Sequence, residues 1–554
     1  MRRPPLPGTN SAGTKVPSVT APVIVDPWNE VRPQAPDLAL LGPEVNLQLS
    51  LLAPGPSDPY RRSHRLLMLL IVAHVFVITL FPWIARYPEA VWDDMLEAWS
   101  WGQHFQLGYY KHPPFYAWVA GVWLRVFPRT DFNFYLLSAL NIWLALAGIW
   151  RLSGLLLRKY ARFPTVSLLL FAPAYHYMAT NFNANTIQLS LWPWAAFFFV
   201  RSLQTRHWKD GVLFGALGGC ALLSKYYSIL LLASCLAAAL LHPDRRPYFR
   251  SAAPYCAIAT CAIIFAPHAM WTWENGFSTV HYALEKSQRP WWHNTYAALS
   301  TGVVGATTNL ASTLVLLSAL GLKRLRALIP RLRHSWMAAD NFWLTVLALG
   351  PLVLTFLLGF VGYVKITPNY LIPTVYMVPL IVCRGLGSML SVARVQDITR
   401  WAAAFMLFAL LIAPLIAYSS VAFHFNDKSQ ISPRVAMAAT QAWRERIASP
   451  LRIATGTEPF SLALPFYSSE GPVEFTHYSF MEAPWITLER IEREGILYAC
   501  AATDALCIEA ATAYATGLTT RLSRTFHPAI WRFRGPDIEV VFFMTPPRVR
   551  RTPS

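Results

Sequence analysis

From residue 66 onward, apolar segments recur along the chain, each close to the roughly 20 residues that a helix needs to cross a bilayer. Inside lipid every backbone N–H and C=O must find a partner within the protein, so repeated segments of this length specify a bundle of membrane helices. Spans are expected at 66–83, 134–157, 165–180, 186–203, 210–223, 227–241, 252–272, 296–320, 341–362, 369–384 and 401–422. The 554 residues are 55% hydrophobic and 14% charged, where soluble domains run near one quarter charged. The fold class read from this pattern is mainly α, a polytopic membrane protein.

The basic residues between the spans give an orientation. "RRSHR" (61–65), "RKYAR" (158–162), "RSLQTRHWK" (201–209), "RRPYFR" (245–250), "KRLRALIPRLRH" (323–334) and the segment 384–400 fall on every second connection. By the positive-inside rule these face the cytoplasm. The net charge of +18 then reflects topology and anionic lipid, and nucleic acid is excluded as a partner. Residues 210–241 test the assignment. Basic segments flank this run on both sides, so it must cross twice, with a turn at "SKYYS" (224–228) that brings Lys225 to the outer face. Eleven spans follow, with the N-terminus inside and residues 423–554 outside.

Residues 1–60, with "RRPPLPG" and "LLAPGPSDP", lack helical periodicity and are expected to be a disordered cytoplasmic tail, with no apolar core of a cleavable signal. Residues 61–422 form the membrane domain. Residues 423–554 alternate short strands with helices: strands in "PLRIATGTEPFSLALPFYSS", "GILYACAATDALC" and "DIEVVFFMT", helices in "SPRVAMAATQAWRERIA" and "ALCIEAATAYATGL". This is the grammar of a small α/β domain. It has no glycine-rich phosphate loop, metal-ligand spacing or nucleophile elbow. Five cysteines sit in or beside spans as apolar fillers, whereas Cys500 and Cys507 stand alone in the exported segment, where a short-range disulfide is expected.

The chemistry concentrates in "DDMLEAWSWGQHFQLGYYKHPP" (93–114), within an expected outer loop at 84–133. As a helix, this stretch aligns Asp94, Glu97, Trp101 and His104 on one face, with its tryptophans in the headgroup zone. Two prolines open a second helix, "PPFYAWVAGVWLRVF", whose positive dipole end would meet Lys111 and His112 and suit a phosphate. From spacing alone, a solvated interfacial helix is an equal reading.

"DMLEAWSWGQHFQLGYYKHPPFYAW" resembles the first outer loop of the dolichyl-phosphate-mannose–protein mannosyltransferase-like superfamily, whose bacterial members include lipopolysaccharide aminoarabinose and galacturonic acid transferases. "YHYMATNFNANTIQLSLWPW" (175–194), "LLSKYYSILLL" (222–232), "FAPHAMWTWENGF" (265–277) and "APWITLERIEREGILYAC" resemble later parts of the same bacterial subgroup. The resemblance implies a GT-C fold and a polyprenyl-phosphate-linked sugar donor. It also implies a lipid, glycan or protein acceptor and transfer at the outer face of a bacterial inner membrane.

It further matches the catalytic carboxylate to Asp94; the chemistry of the step itself makes Glu97 a helper and Lys111, His112 and Lys225 candidate cations for the donor phosphate. Simple snorkelling at a helix end is the competing reading for Lys225. Asp93, His104, Asn183 and Asn185 are further candidate contacts. Many relatives carry an acid where this chain has Asn185, and with Thr186 that asparagine reads more readily as an N-cap for the next span. The loop 274–294, with Glu274, His281, Lys286 and Arg289, reads as solvated, with covering the cavity as the alternative. No cofactor or obligatory metal is expected. Rival readings are a flippase or transporter of lipid-linked sugars, which would show paired inverted repeats and mid-bilayer charges, and a non-catalytic envelope-assembly protein.

Overall fold

The computed structural model describes residues 59–285, 290–320, 330–333, 337–338, 341–361, 365–386 and 391–548. Of the expected tail, residues 1–58 lie outside the described residues. The chain is a multi-pass membrane protein. Among the described residues, five helices are long and apolar enough to cross a membrane: Tyr60–Ala85, Asp131–Leu156, Ala253–Glu274, Phe342–Phe360 and Val392–Ala422. The bent pair Trp292–Thr307 and Leu310–Leu320, counted as one span, brings the number to six. The other expected spans are shorter or interrupted helices.

In chain order the first helices are α1 (Pro59–Ala85), α2 (Asp93–Gly102), α3 (Phe115–Val126), α4 (Asp131–Leu156) and α5 (Arg162–Leu169). They continue with α6 (Gln188–Thr205), α7 (Trp208–Leu222), α8 (Ile229–Leu241), α9 (Arg245–Arg250), α10 (Ala253–Glu274) and α11 (Ser278–Glu285). The remaining membrane-half helices are α12 (Trp291–Thr308), α13 (Leu310–Leu320), α14 (Phe342–Phe360), α15 (Met377–Leu386) and α16 (Val392–Ala422). α1 packs against α4 and α16, and α7 packs against α6 and α10.

Two expected spans break for the same reason. At 165–180 the helix ends at Leu169, and Pro173 opens the first of two one-turn 3-10 segments, Pro173–Tyr175 and Met178–Thr180. At 369–384, Pro368 and Pro373 sit in similar turns and the helix begins only at Met377. Proline lacks the N–H that would continue the α-helical ladder and biases the preceding residue away from helix. At 296–320 the break falls at Asn309, between α12 and α13.

The helices α2 and α3 cross at a point that only glycine permits. A Cβ at Gly102 would lie 2.4 Å from the Ala117 carbonyl oxygen, and one at Gly121 would lie 2.3 Å from the Gly102 carbonyl oxygen. This close crossing lays the N-terminal half of α2 beside the loop that carries Lys111. The tryptophans of α2 do not sit among headgroups, which corrects the interfacial reading. Trp101 is fully buried and stacks on Tyr109, while Trp99 donates from Nε1 to the Pro465 carbonyl at 3.0 Å.

Pro465 belongs to the C-terminal region, where α17 (Asp427–Arg446) leads into β1 (Ile453–Gly456), α18 (Phe460–Tyr467), β2 (Val473–Glu474) and α19 (Leu488–Glu494). Next come β3 (Ile496–Ala501), α20 (Ala505–Ala513), β4 (Thr520–Phe526), the hairpin β5 (Ala529–Ile530) and β6 (Phe533–Arg534), and β7 (Ile538–Thr545). The main sheet runs β2-β1-β3-β7-β4, with β1 parallel to β2 and β3, and β7 antiparallel to β3 and β4.

The sequence reading missed β4 and read strand through 460–467, where α18 forms. The β4 sequence "TRLSRTF" has only a half-buried face, so its apolar signal is weak. Leu462, Ala463 and Phe466 of α18 join the buried core of the membrane half. Further ties hold the two regions together. Tyr467 accepts from the Val91 N–H at 2.9 Å and donates to Asp131 at 2.8 Å, while Ser100 donates to the buried Glu474 carboxylate at 2.8 Å. Cys500 and Cys507 form a disulfide that joins the end of β3 to the first turn of α20.

Candidate active site

The α7–α8 break is the floor of the site. α7 stops at Leu222, Lys225 is extended, and a 3-10 turn over Tyr226–Ser228 starts α8. Carbonyls at the end of α7 are tied to other elements. Gln188 and Ser228 donate to Ala221, and the Phe115 N–H donates to Leu223 at 2.9 Å. The last of these docks the start of α3 against the turn that carries Lys225. Exposed carbonyls at a helix end are costly unless so satisfied, so the break and the docking stabilise each other.

Above this turn lies a cavity of about 700 Å³. Its lining includes Asp94 and Glu97 from α2, Lys111 and His112 from the following loop, and Tyr116 from α3. Asn183 and Asn185 come from the segment before α6, Lys225 and Tyr226 from the break, and Tyr282 and Glu285 from α11. Lys365, Thr367, Asn369 and Tyr370 close it from the segment before α15. Seven residues singled out from sequence thus share one cavity: Asp94, Glu97, Lys111, His112, Asn183, Asn185 and Lys225.

Asp94 is held by two amides. Asn183 donates from Nδ2 to Asp94 Oδ2 at 2.9 Å, and Asn181 donates to the same oxygen at 3.2 Å. Asn183 in turn accepts, at Oδ1, the N–H groups of Asn185 at 2.8 Å and Thr186 at 3.1 Å. Asn185 is therefore not an N-cap. The helix cap position is Ile187, and the Asn185 side chain accepts from Lys225 Nζ in the cavity wall. The Lys225 ammonium also lies 4.7 Å from the centre of the Tyr370 ring, a cation–π distance. Lys225 is thus built into the wall, which snorkelling to the interface does not describe.

Lys111 differs from its expected place. Its Nζ donates to Glu97 Oε2 at 2.7 Å, and Tyr116 donates to the other oxygen of Glu97 at 3.3 Å. The first N–H of α3 is taken by the Leu223 carbonyl, and Lys111 is paired with Glu97. Burial alone would lower the Lys111 pKa. The Glu97 carboxylate, through charge and hydrogen bond, more than reverses this and holds the ammonium above its ordinary value. Glu97 thus has a cation directly against it. His112 faces the cavity with its ring edge-on to Tyr116 and Tyr282, at centroid distances of 6.0 and 6.4 Å.

Three expected site residues lie elsewhere. Asp93 is exposed and does not line the cavity, because adjacent helix positions point about 100° apart. Trp101 is fully buried behind α2. α2 ends at Gly102, so His104 leaves the helical face and stacks on Trp485 at 4.3 Å. Its pKa is pushed down to about 4 by burial and by Arg490 and Arg125, which keeps the ring neutral.

From the 274–294 loop the cavity takes Thr279, Tyr282 and Glu285 but not Glu274 or His281. Lys286 and Arg289 lie outside the described residues. Neither motif nor spacing marks Tyr282, Lys365, Asn369 or Tyr370; the one local signal is a polar, proline-containing run between apolar segments. Among the described residues no group of three or more His, Cys, Asp or Glu side chains is arranged to hold a metal.

The model of the dolichyl-phosphate-mannose-protein mannosyltransferase family matches residues 111–271, which includes Lys111, His112, Asn183, Asn185 and Lys225. No curated protein matches the chain. Among solved structures, ArnT from Cupriavidus metallidurans bound to undecaprenyl phosphate aligns with a TM-score of 0.58 at 13% identity, covering 86% of this chain and 97% of that one. The same protein in the apo state aligns with a TM-score of 0.55 at 12% identity and the same coverage. The fold is thus that of the multi-span GT-C membrane proteins, with a small strand-containing C-terminal region. Within that class, the chain resembles ArnT along 86% of its length.

Proposed function

We propose that this chain is a membrane glycosyltransferase that moves a sugar from a polyprenyl-phosphate donor to a lipid, glycan or protein acceptor. Transfer takes place at the outer face of a bacterial inner membrane, with the N-terminus cytoplasmic and the C-terminal domain exported. The observation that carries the reading is a carboxylate and a wall-mounted ammonium facing one large cavity. Asp94 is pinned through a single oxygen, and Lys225 is set across from it by Asn185. The family match over residues 111–271, which supply part of the cavity lining, and the ArnT-like fold support it.

In this reading the acceptor hydroxyl attacks the anomeric carbon in one inverting displacement. Its proton passes to Asp94, the new carbon–oxygen bond forms, and the bond to the phosphate oxygen breaks with its electron pair going to the leaving lipid phosphate. A phosphate leaving group needs cations more than a protonated acid, and Lys225, Lys365 and His112 in the cavity lining supply positive charge or donors for it. Lys111 acts through Glu97. Asp94→Asn keeps the shape of the side chain and loses its proton-accepting capacity. Sugar transfer from synthetic polyprenyl-phosphate donors to envelope membranes should then fall by about 10²–10⁴, with normal expression and insertion. A fully active Asp94→Asn protein would remove Asp94 as the base.

A further inference from the structure

We infer that Asn183 is the positioning residue of the site: it fixes which oxygen of Asp94 takes the acceptor proton and, through the same turn, places the cation that meets the phosphate. This rests on the reading of Asp94 as base. An asparagine side chain has two faces, and its orientation is ordinarily ambiguous. Here it is not. Oδ1 accepts two backbone N–H groups, from Asn185 and Thr186, which only an oxygen can do. Nδ2 must therefore be the atom that faces Asp94 Oδ2 at 2.9 Å.

Asn181 adds a second donor to the same oxygen, but its side-chain Oδ1 is buried without a hydrogen-bond partner, so nothing locks its amide. With Oδ2 saturated by two N–H groups, Oδ1 is the oxygen that accepts no hydrogen bond from the described residues. A proton leaving the acceptor hydroxyl as the new carbon–oxygen bond forms is delivered there.

The turn that orients Asn183 also decides where Asn185 points. Thr186 completes it by donating from Oγ1 to the Asn181 carbonyl at 2.7 Å and accepting from the Asn183 N–H at 2.9 Å. The closed turn projects the Asn185 amide to Lys225. One continuous hydrogen-bonded path therefore runs Asp94–Asn183–Asn185–Lys225 along the wall, from the base to the ammonium. Both ends of the displacement are located by one six-residue segment, "NFNANT" (181–186).

The test replaces a donor to Asp94 by a like charge while leaving the turn intact. Asn183→Asp keeps an acceptor for the Asn185 and Thr186 N–H groups but sets a second carboxylate against Asp94. Two carboxylates sharing a site push one protonation upward. Carbodiimide reacts with protonated carboxyls, so labelling of the Asp94 peptide, read by mass spectrometry on the full-length protein in detergent, gives its protonation midpoint without any substrate. The expected result is a midpoint about one pH unit or more above wild type. The acid limb of transfer activity should move in parallel.

Asn181→Asp, which breaks no turn contact made by its carbonyl, should shift the midpoint in the same direction and covers a failure of the first variant to fold. Wild-type midpoints in both variants would overturn the inference and leave Asp94 as base untouched. Shifted midpoints together with full activity in Asp94→Asn would instead bring down the base assignment, and the positioning role with it.

Discussion

Replacing Lys111 separates two accounts of that residue that differ in kind. The geometry makes it the partner of Glu97, at 2.7 Å, with side chains only 20% and 12% exposed. At an effective dielectric near 20, two unit charges at this distance attract by about 6 kcal/mol. Much of that is offset by the cost of removing both ions from water, and truncating one partner leaves the other buried and unmatched. With residual exposure allowed for, Lys111→Ala should destabilise by about 2–4 kcal/mol.

The pairing makes a further demand. The double variant Glu97→Gln/Lys111→Met removes both charges, keeps the apolar stem and should recover at least half of that loss. Detergent-titrated unfolding of wild type, the two single variants and the double variant yields the coupling energy directly. If Lys111 instead contacted the donor phosphate, Lys111→Ala would leave unfolding unchanged and raise the donor KM. That outcome, or a coupling energy near zero, would refute the ion-pair account.

The buried carboxyl of Glu474, which accepts from Ser100 on α2, is pushed by burial from its ordinary 4.5 to about 7. A group that binds its proton more tightly when folded favours folding fully below pH 4.5, and that contribution is lost as pH rises through 7. Glu474→Gln should therefore raise stability at pH 8 by at most about 3 kcal/mol and leave it little changed at pH 4.5; equal effects at both pH values would contradict the burial argument. Gly121→Leu drives a side chain into the Gly102 backbone, so it should separate α2 from α3 and abolish sugar transfer even where the protein still inserts. Protease mapping of the outer loop would reveal the separation, and a fully active Gly121→Leu protein would show that the close crossing is dispensable.

Local patterns made much of this architecture legible. Apolar runs of span length mark the long helices, and the basic residues on both sides of 210–241 anticipate the break that the structure places at 223–228. Proline-punctuated segments were misread as spans because hydropathy averages over residues whose missing N–H ends the helix. Helical spacing at 93–114 put Asp94 and Glu97 on one face because both belong to one short helix, the family resemblance singled out Asp94, and the spacing misplaced His104 because it does not show where α2 stops.

What lay beyond the sequence is pairing at a distance. Lys111 is 14 residues from Glu97, Lys225 is 40 from Asn185, and Asn183 is 89 from Asp94. Residues so separated carry no periodic signal of one another. They meet because Gly102 and Gly121 let α2 and α3 cross, because Leu223 takes the first N–H of α3, and because the turn at 181–186 closes on its own side chains. By itself the sequence determined that charge would gather at the ends of membrane helices. The tertiary structure decided which charges neutralise each other and which face the cavity, since hydrogen bonds and ion pairs act over a few ångströms that only the packed helices bring about.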